Sequence, residues 1–95
     1  MRFIWDGQKD KINLFKHGID FETASQVFND INRIVFFDEA HSLYEDRYIT
    51  VGTIESITVL VMVVYTEHAE TIRIISARRA TKEERGWYYG HLHGY

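Results

Sequence analysis

No cysteine and no proline occur in these 95 residues; glycine appears six times and methionine twice. The lack of cysteine excludes disulfides and thiolate-bound metal, so packing alone holds the fold, which suits a reducing cytosol. The lack of proline carries no functional message. Apolar runs are short. The longest, Val59–Tyr65, is well below the length that spans a bilayer. The opening MRFIWDGQKDK holds no apolar stretch of the kind a secretory signal needs. The expectation is a soluble cytoplasmic protein with no membrane partner. Positive charge is also scarce: 11 lysines and arginines face 14 acidic residues, a net charge of −3. That argues against a broad basic surface for nucleic acid, but not against a local one. No repeat, linker or low-complexity segment interrupts the chain, and it holds no Gly-rich phosphate loop, nucleophile elbow or zinc framework.

What is present suffices to fold. Hydrophobic residues make up 45% of the chain and aromatics 15%, which excludes a disordered chain and predicts one small domain over residues 1–95. Residues 90–95 are expected to form a flexible tail. Charge is segregated along the chain. Arg73, Arg78, Arg79, Lys82 and Arg85 crowd residues 72–85 against Glu83 and Glu84, whereas Asp38 to Asp46 is acidic.

Periodicity predicts the order β-α-α-β-β-β-β-α. A short strand over Met1–Trp5 is followed by a helix capped by Asp6 and ended at Gly18, with Ile12 and Phe15 facing inward. Asp20 caps a second helix with Phe21, Ala24, Val27 and Phe28 at helical spacing. Strands are predicted over Arg33–Asp38, Arg47–Ile54 (with Gly52 at a bulge), Ile57–Thr66 and Thr71–Ala77. Ile57–Thr66 is apolar on both faces and reads as central. Thr81 and Glu84 form a capping box for a last helix from Lys82 to about Gly90. Short turns between the later strands imply an α+β fold: an antiparallel sheet with helices on one face.

The arginines are the focus. Strand alternation puts Ile72, Ile74 and Ser76 on one face and Arg73 and Ile75 on the other. With Arg78, Arg79, Lys82 and Arg85 nearby, Arg73 makes a candidate anion site, because guanidinium groups donate paired hydrogen bonds to phosphate. The same arginines have carboxylates within the chain to pair with: Glu39, Glu45, Asp46 and Glu67. Lys16 and His17 end the first helix, where cations complement the dipole and where a histidine is also a candidate acid or base. Glu45 and Arg47 flank a strand start, as base and anion contact or as local charge pairing. Tyr65 is either a base-stacking ring or a core tyrosine.

Four stretches carry a family resemblance: FIWDGQKDKINLFKHGIDFETASQVFND, DEAHSLYEDRYITVG, VVYTEHAETIRIISARRATKEER, and Tyr88 after them. Together they resemble the BrnT toxins of bacterial type II toxin–antitoxin systems. The resemblance implies a fold similar to RelE-like ribonucleases, RNA as substrate and growth arrest. It also implies a BrnA-type ribbon-helix-helix antitoxin, expected in a 2:2 complex that reaches operator DNA through the antitoxin and represses its own operon. Matching polar positions are Lys16, His17, Glu45, Arg47, Glu67, Arg73, Arg78 and Arg79. Leu43-Tyr44, Tyr89 and the Gly90–Tyr95 tail depart from the family pattern.

The mechanism expected on that basis is metal-independent and cofactor-free. The ribose 2′-OH attacks phosphorus, leaving a 2′,3′-cyclic phosphate. Arg73, Arg78 and Arg79, with Arg47, stabilise the phosphorane; Glu45 or His17 is the base, and His17 or Lys16 the acid. Tyr65, Glu67 and Lys82 join Arg47 as RNA contacts. Two competing expectations are a non-catalytic antitoxin-binding module and an RNA or ribosome binder that does not cut.

Overall fold

The strand β4 (Val59–His68) is apolar at every position from Val59 to Tyr65, and a strand of that composition needs cover on both faces. The computed structural model, which describes residues 1–94, puts β4 at the centre of a five-stranded sheet. The other strands are β1 (Arg2–Ile4), β2 (Ile34–Phe37), β3 (Tyr48–Ile54) and β5 (Thr71–Arg79), in the order β1-β5-β4-β3-β2. Three helices accompany them: α1 (Gly7–His17), α2 (Phe21–Ser25), which runs on as a 3-10 turn through Asn29, and α3 (Lys82–Leu92). The α+β class and the element order agree with the expectation.

The sheet is mixed rather than antiparallel. β2 through β5 form an antiparallel meander, but β1 pairs with β5 in parallel, Phe3 opposite Ile72. The crossover from β1 back to the sheet passes through both first helices and three strands, so turn lengths could not reveal it.

Nor do the helices share one face. Val61, Val63 and Tyr65 of β4 pack with Phe21, Ala24, Val27, Ile72, Ile74 and Ala77 under α2 and its turn. Leu60 and Met62 point the other way and pack with Ile34, Val51, Ala80 and Tyr88 under α3. The two cores are tied together by Asp30, whose carboxylate accepts from the Tyr88 hydroxyl (2.7 Å) and from the Thr53 N–H (2.9 Å). Burial works against ionisation of Asp30, but hydrogen bonds from Thr53, Tyr88 and Asn32 hold its carboxyl below the ordinary range. Burial and the Asp30 carboxylate together push the Tyr88 hydroxyl up to about 12.

α1 is inside out. Its apolar residues Ile12 and Phe15 were expected to face inward, yet Phe15 is 92% exposed and Ile12 55%. The buried residue is Asn13. β1 covers the outer edge of β5 only from Thr71 to Arg73, and beyond it Asn13 takes the place of a strand. Its amide donates to the Ala77 carbonyl (2.8 Å) and accepts from the Ala77 N–H (3.1 Å), and it also donates to the Ile19 carbonyl. A polar edge therefore selects a polar contact, and the apolar side of the helix turns outward.

Gly52 lies in regular pairing, with no bulge. A Cβ there would meet Arg33 Cβ at 3.0 Å and Val27 Cγ1 at 3.1 Å, so close approach of the 3-10 turn explains the glycine. The last helix, expected to end about Gly90, continues to Leu92; of the expected tail, Tyr95 lies outside the described residues. Asp6, Gly18 (φ +71°), Asp20 and the Thr81/Glu84 box cap their helices as expected.

Replacing Asn13 by Leu leaves three backbone groups without partners and is expected to cost ~3 kcal/mol in urea unfolding. Phe15→Ser is expected to stay within ~0.5 kcal/mol of wild type. An Asn13→Leu midpoint equal to wild type would refute this account of the β5 edge.

Candidate active site

The site follows from one irregularity in β5. Val64 pairs with Ser76, but the next residue of β4, Tyr65, pairs with Ile74, so Ile75 is an extra residue. Strict alternation would put Ser76 with Ile72 and Ile74. The bulge shifts the phase, so Ala77 joins those isoleucines in the core while Ser76 and Arg78 turn to the other face with Arg73. Arg79, opposite Val61, takes the alternate side to Arg78. The three arginines of this strand therefore do not act as one cluster.

Arg73 is opposite Thr66, and Thr66 is one residue beyond the Tyr65–Tyr48 pair. Arg47, just before Tyr48, thus falls on the far side of Thr66 in the same row. Glu45 closes the row from the loop between β2 and β3. Its Oε1 accepts from Arg73 Nη2 and lies 3.8 Å from Arg47 Nη2. These three side chains keep between 31% and 44% of their exposure, so the group is open to solvent. Arg47 Nε, by contrast, is buried and has no hydrogen-bond partner among the described residues. Most buried donors are paired, so this one is an exception, on a guanidinium that shares the Glu45 carboxylate with Arg73.

The loop is braced. The Asp38 N–H donates to the Arg47 carbonyl (2.8 Å), and the Arg47 N–H donates to Ser42 Oγ (2.9 Å). The Asp38 carboxylate holds His41 Nδ1 at 3.0 Å. These contacts extend the β2–β3 ladder past its strands and fix where Glu45 begins its reach.

Arg78 belongs to a different arrangement. It forms a two-pronged ion pair with Glu84, Nη1 to Oε1 at 2.8 Å and Nη2 to Oε2 at 3.0 Å, and donates to the Arg79 carbonyl. Burial works against ionisation of Glu84, but Arg78 and the Thr81 N–H hold its carboxyl below the ordinary range. Arg78 thus anchors the start of α3. Its row is four residues of β4 from that of Arg73, roughly 13 Å along the strand.

The remaining sequence candidates scatter. Lys16 and His17 are exposed at the end of α1, with no hydrogen bond or ion pair to the arginine row among the described residues. Glu67 is exposed and, opposite Ile72, points away from the Arg73 face. Lys82 is exposed at the first turn of α3. Tyr65 is 2% exposed, with its ring against Phe28 (4.9 Å) and Tyr48 (5.8 Å). It is a core tyrosine, and burial raises its hydroxyl above the ordinary value. Base stacking is the role that gives way here, because the ring faces are already occupied.

Sequence reasoning missed two partners. Glu84 was assigned only to the capping box, although a capping carboxylate has lone pairs left for Arg78. His68, two residues past Thr66 on β4, shares the Arg73 face, because Thr66 and His68 pair with Arg73 and Thr71. The alternation of β4 carried that signal. Between β2 and α3 a groove of about 820 Å³ is lined by Ile34, Val35, Phe36 and Trp87; it contains none of the candidates. Among the described residues no three His, Asp or Glu side chains converge to hold a metal ion, and no helix is long and apolar enough to cross a membrane.

A family model described as "Ribonuclease toxin, BrnT, of type II toxin-antitoxin system" matches residues 5–84. That span holds every residue of the arginine row and both members of the Arg78–Glu84 pair. No curated protein matches the chain at a significant level.

Glu84 yields a pH prediction. Its folded pKa lies below the ordinary 4.5, so the unfolded chain takes up protons first as the pH falls. The pair's contribution is therefore complete above about pH 4.5 and is lost toward acid. Glu84→Gln is expected to lower stability near neutrality by ~1–2 kcal/mol and to flatten the acid limb of a melting-temperature profile. An acid limb as steep as wild type would contradict it.

Proposed function

The chain belongs to the BrnT family of ribonuclease toxins, and from that membership and the arginine row we propose that it is a metal-independent endoribonuclease with a RelE-like fold. The observation that carries the reading is the carboxylate of Glu45, held between Arg73 and Arg47 on an open sheet face. A carboxylate bound by two guanidinium groups occupies a place that suits a phosphate diester. Arg47 Nε adds a donor already out of water, and donors fixed in advance stabilise developing charge most effectively.

In the reaction, a phosphate group displaces Glu45 from the arginines. The freed carboxylate takes the proton of the ribose 2′-OH. The 2′ oxygen bonds to phosphorus, the bond from phosphorus to the 5′ oxygen breaks, and the leaving oxygen takes a proton. Products are a 2′,3′-cyclic phosphate and a 5′-OH end. Arg73 and Arg47 bind the phosphorane, while Arg78 supports the face from α3. His68 is diagonal to Arg73 across the β4–β5 pair and is the candidate acid on this face. His17 and Lys16, the acids expected from sequence, make no hydrogen bond or ion pair with the row among the described residues.

The family implies an antitoxin partner. We propose a BrnA-type ribbon-helix-helix protein in a 2:2 complex that carries the toxin to operator DNA and silences it, so that free toxin binds RNA and the complex does not. One observation favours a second reading: Arg73 and Arg78 are both paired with carboxylates in the free chain. In that reading the arginines are structural, and the protein only binds its partner.

Purified protein is expected to cut RNA in the presence of EDTA. Arg73→Ala is expected to reduce kcat/KM about 100-fold or more while the variant melts like wild type. Intact RNA with or without added metal would sink the proposal and leave the second reading; cleavage that returns only with added metal would sink both the metal-independent mechanism and the second reading.

A further inference from the structure

The outer face of α1 takes no part in the fold or in the arginine row. Phe15 and Ile12 lie one turn apart on it, 92% and 55% exposed. Leu14 adds a flank at 49%. Around them α1 carries Lys9, Lys11 and Lys16, all exposed. The helix's one carboxylate, Asp10, turns inward and accepts from the Phe21 N–H at 2.8 Å. An exposed apolar stripe that costs solubility and is rimmed by charge of one sign marks an interaction surface. The cationic rim is notable on a chain whose net charge is −3.

The chemistry of the stripe selects the occupant. RNA would be met by aromatic rings between the cations, because only rings stack on bases. Here two aliphatic side chains accompany a single ring, and aliphatic groups gain most by burial against other aliphatic groups. We propose that the outer face of α1 is the docking site for the antitoxin, and that it takes an acidic segment with apolar anchors, the anchors on Phe15 and Ile12 and the carboxylates on Lys11 and Lys16. The inference rests on the reading of this chain as a toxin with a protein partner. It deepens that reading by separating the two surfaces. The docking face belongs to a helix beside the outer edge of β5, and the arginine row belongs to the sheet face that α3 covers in part. Binding the antitoxin and cutting RNA are therefore separable by mutation.

The test uses the full chain and the purified antitoxin encoded with it, mixed in a calorimeter. Phe15→Glu and Lys11→Glu are each expected to weaken the complex at least tenfold, while both variants cut RNA and melt as wild type does. Ile31→Glu, at a site 96% exposed in the turn before β2, is the control and is expected to bind like wild type. Antitoxin affinity unchanged in both α1 variants would overturn the proposal. Loss of RNA affinity with antitoxin affinity intact would overturn it too, by giving the face to RNA. A wild-type chain that forms no complex would remove the reading on which the proposal rests, and the proposal with it.

Discussion

One extra residue, Ile75, sets the phase of β5, and most of the molecule's chemistry follows from that phase. Before the bulge, Ile72 and Ile74 pack on Tyr65 and Phe21; after it, Ala77 does, so the core stays continuous on one side of the strand. The cost is borne on the other side, where Arg73, Ser76 and Arg78 share a face that alternation would have divided. The same shift sends Arg79 away from Arg78. In a strand without the bulge, alternation would part Ala77 from Ile72 and Ile74, and Arg78 from Arg73.

The two shared arginines meet carboxylates of different kinds. Glu84 sits on a rigid helix turn, is mostly out of water and is bound on both oxygens, and so belongs to the scaffold. Glu45 comes from a loop, stays half exposed and is shared by Arg73 and Arg47. Ion pairs that keep this much solvent contribute little to stability, so exchanging the Glu45 carboxylate for a phosphate costs the fold little. The two carboxylates thus differ: Arg78 is held by a part-buried, two-pronged pair, whereas Arg73 and Arg47 share an exposed one, which in the proposed reaction gives way to a phosphate.

Local features were legible in the sequence, since caps and turns depend on residues close in the chain. Asp6, Gly18, Asp20 and the Thr81/Glu84 box all act where their spacing put them, and the two-sided apolar run of β4 marked the sheet centre. Features set by distant parts of the chain were not legible. The parallel pairing of β1 depends on a strand some seventy residues away. The orientation of α1 depends on the edge of β5 beyond β1, where Asn13 bonds both backbone groups of Ala77, and hydrophobic spacing alone gave that helix the wrong inner face. At the site, Glu45, Arg47 and Arg73 were recognisable as charged residues in strand-end positions. Their convergence, and the departure of Arg79 from it, came from the bulge and from the sheet order.

The central claim is that Arg47 and Arg73, rather than Arg78, bind the phosphate of RNA. The most direct measurement follows the arginine Nε–H resonances of the full chain by NMR while an RNA oligomer with 2′-O-methyl sugars, which cannot be cut by 2′-OH attack, is added. The account predicts that the Arg47 and Arg73 signals shift together and saturably while the Arg78 signal stays in place. Unmoved Arg47 and Arg73 signals, or a response confined to Arg78 and Arg79, would contradict it.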